Sequence, residues 1–229
     1  MPTPGAPAIF VGPTPIMRSV LLGLSAFALL LSGCKKDEAD AAPPATTPPP
    51  AFDLTLAGSQ GVQMLMNGAM VTISVGDLVI PFFEEDGVIN TPPVLSTRFY
   101  GAGLYNSTAD TNAFLMRIGT LEFEGPVVIP EDFWNFFAAG ARSYGPATGG
   151  LDGLELEWTD EAGVIWSTRC GSGIQSGSVF TITEVSTSDD KFGSSARILA
   201  SFSCTLYNCT TGASRPVSSG VLVLEFWNY

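Results

Sequence analysis

The sequence predicts an all-β domain, a two-layer antiparallel β-sandwich with one short helix, and a closed β-barrel is the alternative architecture. Three observations carry this. Charged residues make up 14% of the chain against 45% hydrophobic, and Gly, Ser and Thr stand where Lys, Glu and Gln would build helix surfaces. Short apolar or alternating runs follow one another with turn residues between them. The stretch Leu154-Glu155-Leu156-Glu157-Trp158 alternates strictly, which is the two-residue period of a half-buried strand.

The elements follow in order. Strand-like runs at 52–57, 62–66 and 69–74 come first, with Asn67-Gly68 as a hairpin turn between the second and third. A run at 78–83 precedes an acidic turn at Glu84-Glu85-Asp86-Gly87, and runs at 98–105 and 113–124 follow, the last broken near Gly119. The segment 130–140 differs, because acids stand at its start, Phe133, Phe136 and Phe137 share one helical face, and glycine closes it. It predicts a short helix capping one end of the sheet. The alternating run at 154–158, a turn at Asp160-Glu161-Ala162-Gly163 and a run at 164–169 make a hairpin. Leu154, Leu156, Trp158, Val164 and Trp166 point inward, and Glu155 and Glu157 outward. Runs at 179–185 and 195–207 pair across a polar loop at 186–193. The closing run at 217–227 is apolar on both faces from Val221 to Leu224, which predicts a central strand covered twice.

Ahead of the domain at 52–229 lies a different kind of sequence. Residues 17–34 read MRSVLLGLSAFALLLSGC, a basic Arg18, an apolar run and then small residues at Ser32 and Gly33. This is the layout of a signal peptide, and the apolar run falls short of the roughly 20 residues that span a bilayer. Residues 1–33 are therefore expected to be removed, and the Pro-rich, uncharged residues 1–16 point to Met17 as the true start. Leu31-Ser32-Gly33-Cys34 resembles the lipobox of bacterial lipoproteins. The resemblance implies cleavage before Cys34, alkylation of its thiol by diacylglycerol and acylation with chains such as palmitate. Two or three such chains anchor what one cannot, at about 0.8 kcal/mol per buried methylene. Lys35-Lys36-Asp37-Glu38 resembles the short tag that sends Bacteroidota lipoproteins to the outer face of the outer membrane, the alternative being a solvated charge run. Residues 34–51 form a Pro-rich linker that extends about 3.1 Å per residue in polyproline II.

Composition excludes several functions. A net charge of -12 repels phosphate backbones, so nucleic acid is not an expected partner. The chain has no histidine, which removes Ser-His-Asp triads, HExxH zinc sites and 2-His-1-carboxylate iron sites. Carboxylate pairs, Ser-Lys dyads and oxygen-ligated metals remain. Glu155 and Glu157 would lie about 7 Å apart on one strand face, a distance compatible with glycoside hydrolysis, although alternating acids on an exposed strand ordinarily serve solubility. Glu84, Glu85 and Asp86, or Asp189 and Asp190, cluster enough acid for calcium, yet no DxDxDG-type loop is present and solvated turns are the preferred reading. No metal and no cofactor is expected.

With Cys34 lipidated, Cys170, Cys204 and Cys209 remain, and an exported location permits one disulfide. Three pairings are open. Cys170 with Cys209 is the favoured one, since both sit where strands give way to Gly/Ser/Thr loops, while Cys204 shares a face with Phe202 and Leu206 as a core thiol.

Residues 150–185, the run ARILASFSCTLYN and the run SSGVLVLEF are similar to the C-terminal module of small Bacteroidota lipoproteins, mostly of unknown function. Gly163, Trp166, Ser167, Thr168, Gly173, Gln175, Gly177, Ser178 and Phe180 occupy the recurring positions. The resemblance supplies no catalytic residues. Together these readings predict a surface-tethered, non-enzymatic module, held at the membrane by lipid, that binds glycan or an envelope protein through Trp134, Tyr144 and Tyr105. A structural envelope lipoprotein and a carboxylate-dependent glycoside hydrolase are the alternatives.

Overall fold

The computed structural model describes residues 51–76, 79–109, 111–146 and 152–229. The signal segment, Cys34, the tag at 35–38 and the linker up to residue 50 lie outside these residues. Among the described residues no helix is long and apolar enough to cross a membrane. The elements are β1 (Gly61–Met66), β2 (Ala69–Ser74), β3 (Val79–Val88), β4 (Ser96–Asn106), β5 (Ala113–Phe123), α1 (Pro130–Phe136), β6 (Gly140–Arg142), β7 (Gly153–Thr159), β8 (Ile165–Ser167), β9 (Val179–Asp190), β10 (Gly193–Asn208) and β11 (Ser214–Asn228).

The fold is all-β, and its strands form one sheet ordered β2-β1-β11-β10-β8-β7-β5-β4-β3, with β9 also on β10 and β6 on β9. Every pair of named strands is antiparallel. The sheet branches because β10 changes partner along its length, pairing with β9 as far as Ser203 and with β8 at Tyr207 and Asn208. It curls into a half-barrel. Val62, Met64, Ile198, Leu222 and Leu224 from one wing meet Ala102, Leu104, Met116, Leu154 and Leu156 from the other in a single core. The wings thus face each other as sandwich layers do and yet remain continuous through β8. On the far side the Tyr100 hydroxyl donates to Asn228 Oδ1 (3.0 Å), and Asn228 Nδ2 donates to the Val128 carbonyl (3.2 Å), which ties β4 to the end of β11.

Local chemistry explains several elements. Asn67 and Gly68 stand at φ 50° and 79°, the two positive values that a type I′ turn requires and that match strand twist in a tight hairpin. Phe133 in α1 and Phe137 just past its end are fully buried, with Phe137 stacked on Phe226 at 4.5 Å and Phe133 edge-on to Tyr100 at 5.0 Å. The helix stops at Phe136, earlier than the expected 140. Arg142 Nη2 takes the carbonyls of Phe136 (3.0 Å) and Ala138 (2.6 Å), and residues 140–142 leave to pair with β9.

Three expectations are corrected. Residues 52–57 form no strand but a strap across the outer face of β1, β10 and β11. Asp53 N donates to Gln63 Oε1 (3.0 Å), the Gln63 amide returns a bond to the Asp53 carboxylate, and Arg197 donates to the carbonyls of Leu56 (2.9 Å) and Gly58. Leu54 lies over Gly61, and β11 is central, between β1 and β10, with the consecutive residues Leu222, Val223 and Leu224 all fully buried, so both its faces are covered there. The acidic run Glu84 to Gly87 is no turn either, because β3 carries on through it in register with β4. Likewise β9 and β10 run through the supposed loop at 186–193, leaving Lys191 and Phe192 as the turn, with Asp190 Oδ1 accepting from Phe192 N at 2.7 Å. Residues 186–190 are exposed throughout. Where a hairpin projects beyond the core, neither face needs apolar residues, and the alternation that marks a strand disappears.

The joint between the wings is reinforced. The two-residue pairing of β8 with β10 is accompanied by a Cys170–Cys209 disulfide. Gln175 clamps the intervening loop, its Nε2 donating to the carbonyls of Thr168 (3.0 Å) and Thr205 (2.7 Å) while its Oε1 accepts from Thr205 N (3.0 Å) and Ser178 Oγ (2.8 Å). Cys204 is a buried free thiol, and burial pushes its pKa up to about 12, the Tyr144 hydroxyl opposing.

Candidate functional site

Register assembles the carboxylates. Glu84 pairs with Gly101, Gly101 with Arg117, and Arg117 with Glu155, so a single row crosses β3, β4, β5 and β7 on one outer face. Glu157 stands two residues on from Glu155, on the same side of β7. A Cβ on Gly101 would lie 2.4 Å from Glu84 Cγ. The bare backbone there is what lets Glu84 lie across β4 to Arg117.

Arg117 meets three acids, at 2.5 Å from Nε to Glu84, 3.4 Å from Nη1 to Glu155 and 3.6 Å from Nη1 to Glu157. Glu155 also accepts from Ser167 Oγ at 2.8 Å. Burial disfavours the charge on Arg117, but the hydrogen bond and charge of Glu84, with Glu155 and Glu157, more than offset it and raise its pKa. Burial raises the Glu157 pKa, Arg117 opposes, and Glu155 and Glu84 add to the rise. The pair that distance suggested for glycoside chemistry therefore shares one guanidinium.

A prediction follows from the sign of that shift. A folded pKa above the unfolded value of about 4.3 means that ionised Glu157 weakens the fold at neutral pH and that the penalty fades as pH falls. Glu157→Gln is expected to raise the melting temperature at pH 7, with the gain shrinking as pH falls through the raised pKa of Glu157 and gone by about pH 4. Thermal unfolding at both pH values checks this, and a marked drop at pH 7 would contradict it.

A second feature lies where β3 meets the end of β11. Trp227 and Tyr229 stack with centroids 5.8 Å apart and planes 9° apart, and Phe83 approaches them at 6.3 and 5.2 Å. Phe83 is 47% and Tyr229 56% exposed. Burial, then Glu85 and Glu225, raise the Tyr229 hydroxyl above its usual pKa. Flat rings with carboxylates beside them offer a surface to the C–H face of a sugar ring or to an apolar side chain of a protein.

The three rings singled out from sequence lie apart. Tyr105 on β4 is 40% exposed and packs edge-on to Phe82 at 5.6 Å. Trp134 packs against the core, and its buried Nε1 finds no acceptor among the described residues. Tyr144 is half-buried against Phe180, and its hydroxyl donates to the Ser203 carbonyl at 3.2 Å. What the structure does bring together is Tyr105 and Glu157, which line one small depression of about 100 Å³ with Phe82. Sequence reasoning missed the Phe83, Trp227 and Tyr229 cluster. The available signal was the two-residue period of Trp227 and Tyr229, opposite the core residue Phe226.

The suggested calcium ligands have other uses. Glu85 pairs with Arg98 at 3.3 Å, Asp86 accepts from Gly87 N, and Asp189 accepts from Ser194 Oγ at 2.9 Å. Among the described residues no group of three or more Asp, Glu or Cys side chains is placed to hold a metal ion. Comparison with family models, with curated proteins and with solved structures gave no match.

Proposed function

We propose that this protein is a lipoprotein tethered through Cys34 to the outer membrane, at the cell surface, and that its β domain is a non-enzymatic module binding glycan or an envelope protein. The observation that carries the binding reading is the cluster of Phe83, Trp227 and Tyr229, in which Phe83 and Tyr229 are exposed and Trp227 is half-buried. Clustered aromatic rings are the side chains that most often dominate binding energy. The engagement of Glu155 and Glu157 by Arg117 favours binding over hydrolysis. The lipobox-like sequence before Cys34 and the charged residues at 35–38 support the tether and its placement.

Two measurements test the proposal. Radiolabelled palmitate is expected to enter the wild-type chain and not a Cys34→Ser variant; equal labelling of both would end the tether reading. Trp227→Ala is expected to weaken binding at least tenfold in a screen against glycans and purified envelope proteins. Unchanged binding would remove the aromatic cluster from the argument.

A further inference from the structure

We infer that the ring cluster of Phe83, Trp227 and Tyr229 docks a basic segment of a partner protein, with a lysine or arginine over the rings beside Glu85 and Glu225 and an apolar neighbour next to it. This deepens the proposed binding function and rests on it.

The rings can be reached. Phe83 on the edge strand β3 and Tyr229 just past the end of β11 are exposed, and Trp227 beside them is half-buried. Their centroids form a triangle with sides of 5.2, 5.8 and 6.3 Å. The face of an aromatic ring is electronegative, so a cation within about 6 Å of a ring centre is attracted, most strongly by tryptophan. Rings this close together let one cation meet more than one of them.

Charge beside the rings selects the sign of the ligand. Glu85 follows Phe83 by two residues on β3, and Glu225 precedes Trp227 by two on β11, so each carboxylate shares a strand face with a ring. After burial, the groups that raise the Tyr229 hydroxyl are these same two acids, which brings their negative charge to the cluster. Both carboxylates are steadied from within the protein. Glu85 pairs with Arg98 at 3.3 Å, and Glu225 accepts from the neutral Gln60 amide at 3.5 Å. Arg197 stands opposite Glu225 across the β10–β11 ladder, but gives hydrogen bonds to the carbonyls of Leu56 and Gly58.

The surroundings favour a protein as the source of the cation. Asn228 holds the Val128 carbonyl, which brings the exposed Val127 and Ile129 to this end of the domain. Exposed Phe192 precedes Gly193, where a Cβ would lie 3.5 Å from Tyr229 Cα. Apolar side chains around a charged centre match a protein surface, whereas a lone ammonium ion or a sugar would leave them uncovered. A net charge of -12 draws a basic partner and repels both an anionic bilayer and a second copy of this chain.

The test uses the full chain in micelles of an uncharged, sugar-free detergent. It is titrated with the capped pentapeptides KVKLK, RVRLR, QVQLQ and EVELE, with maltohexaose, and with phosphatidylcholine vesicles. Calorimetry reads affinity, and the ¹⁵N-indole resonances, assigned with Trp227→Phe, report the place. KVKLK or RVRLR is expected to bind at least tenfold more tightly than QVQLQ and EVELE and to shift the Trp227 resonance. Trp227→Ala, and separately Glu85→Gln combined with Glu225→Gln, are each expected to weaken that binding tenfold or more. Phe83→Ser, on an edge strand, repeats the first of these with less risk to the fold. Equal affinity for all four peptides overturns the inference. So does binding of the basic peptides that Trp227→Ala and Phe83→Ser leave intact, because a chain of charge -12 attracts cations anywhere on its surface. Self-association or vesicle binding that Trp227→Ala removes, while both basic peptides fail, gives the rings another occupant and overturns it too. If maltohexaose or a purified envelope protein binds through Trp227 while both basic peptides fail, the proposed function stands and this inference falls. If none of them binds, both fall.

Discussion

Replacing Cys170 and Cys209 together by serine is expected to lower unfolding free energy by about 3–4 kcal/mol and the melting temperature by roughly 10 °C. The bond closes a loop of sequence separation 39, for which the chain-entropy model gives about 4 kcal/mol, and measured values usually fall somewhat below it. Position matters as well as loop length. The bond sits where the two wings are joined by two residue pairs between β8 and β10, so its loss should loosen that joint before the rest. Hydrogen exchange is expected to quicken in β8 and at residues 169–178, while the long β9–β10 hairpin keeps its protection. A loss below 1 kcal/mol, or uniform loosening, would show that Gln175 and the β ladder suffice without the bond.

Arg117→Met is expected to destabilise the fold at pH 7 by about 2–3 kcal/mol, because it leaves three carboxylates facing one another without their cation. Fully buried pairs cost more to break, and the figure is reduced here because the Arg117 side chain is 27% exposed and that of Glu84 is 37% exposed. The pH dependence identifies the cause. Without Arg117 the acids repel, so protonating them relieves the variant, and the deficit should shrink as pH falls towards 4. Adding Glu84→Gln should recover part of the loss at pH 7. Denaturant unfolding of the single and double variants checks both statements, and a deficit independent of pH would mean that packing by the arginine stem, rather than charge, was what was lost.

Local chemistry made part of this fold legible. The alternation at residues 154–158, Asn67-Gly68 and the Phe133, Phe136 and Phe137 face each encode their conformation within a few residues, and each forms near where it was read. Trp166, Ser167 and Gln175 have structural work in this chain, since Trp166 bonds Asp160, Ser167 bonds Glu155 and Gln175 clamps β10. What escaped depends on residues distant in sequence. The strap is held by Arg197, some 140 residues away, and so looks like a strand until that partner is known. Glu84 and its neighbours read as a turn because polar composition hides an edge strand. The aromatic cluster exists because β3 and the end of β11 meet, which no local pattern announces. The row through Arg117 needed the register of four strands.

The strap has a mechanical consequence. Tension applied at residue 51 reaches the segment sewn to Gln63 and Arg197 before it reaches the first ladder of the sheet. Load is thus spread over several side-chain bonds spanning three strands instead of peeling β1 one rung at a time, and the molecule should resist being drawn out from that end better than its short first hairpin would by itself.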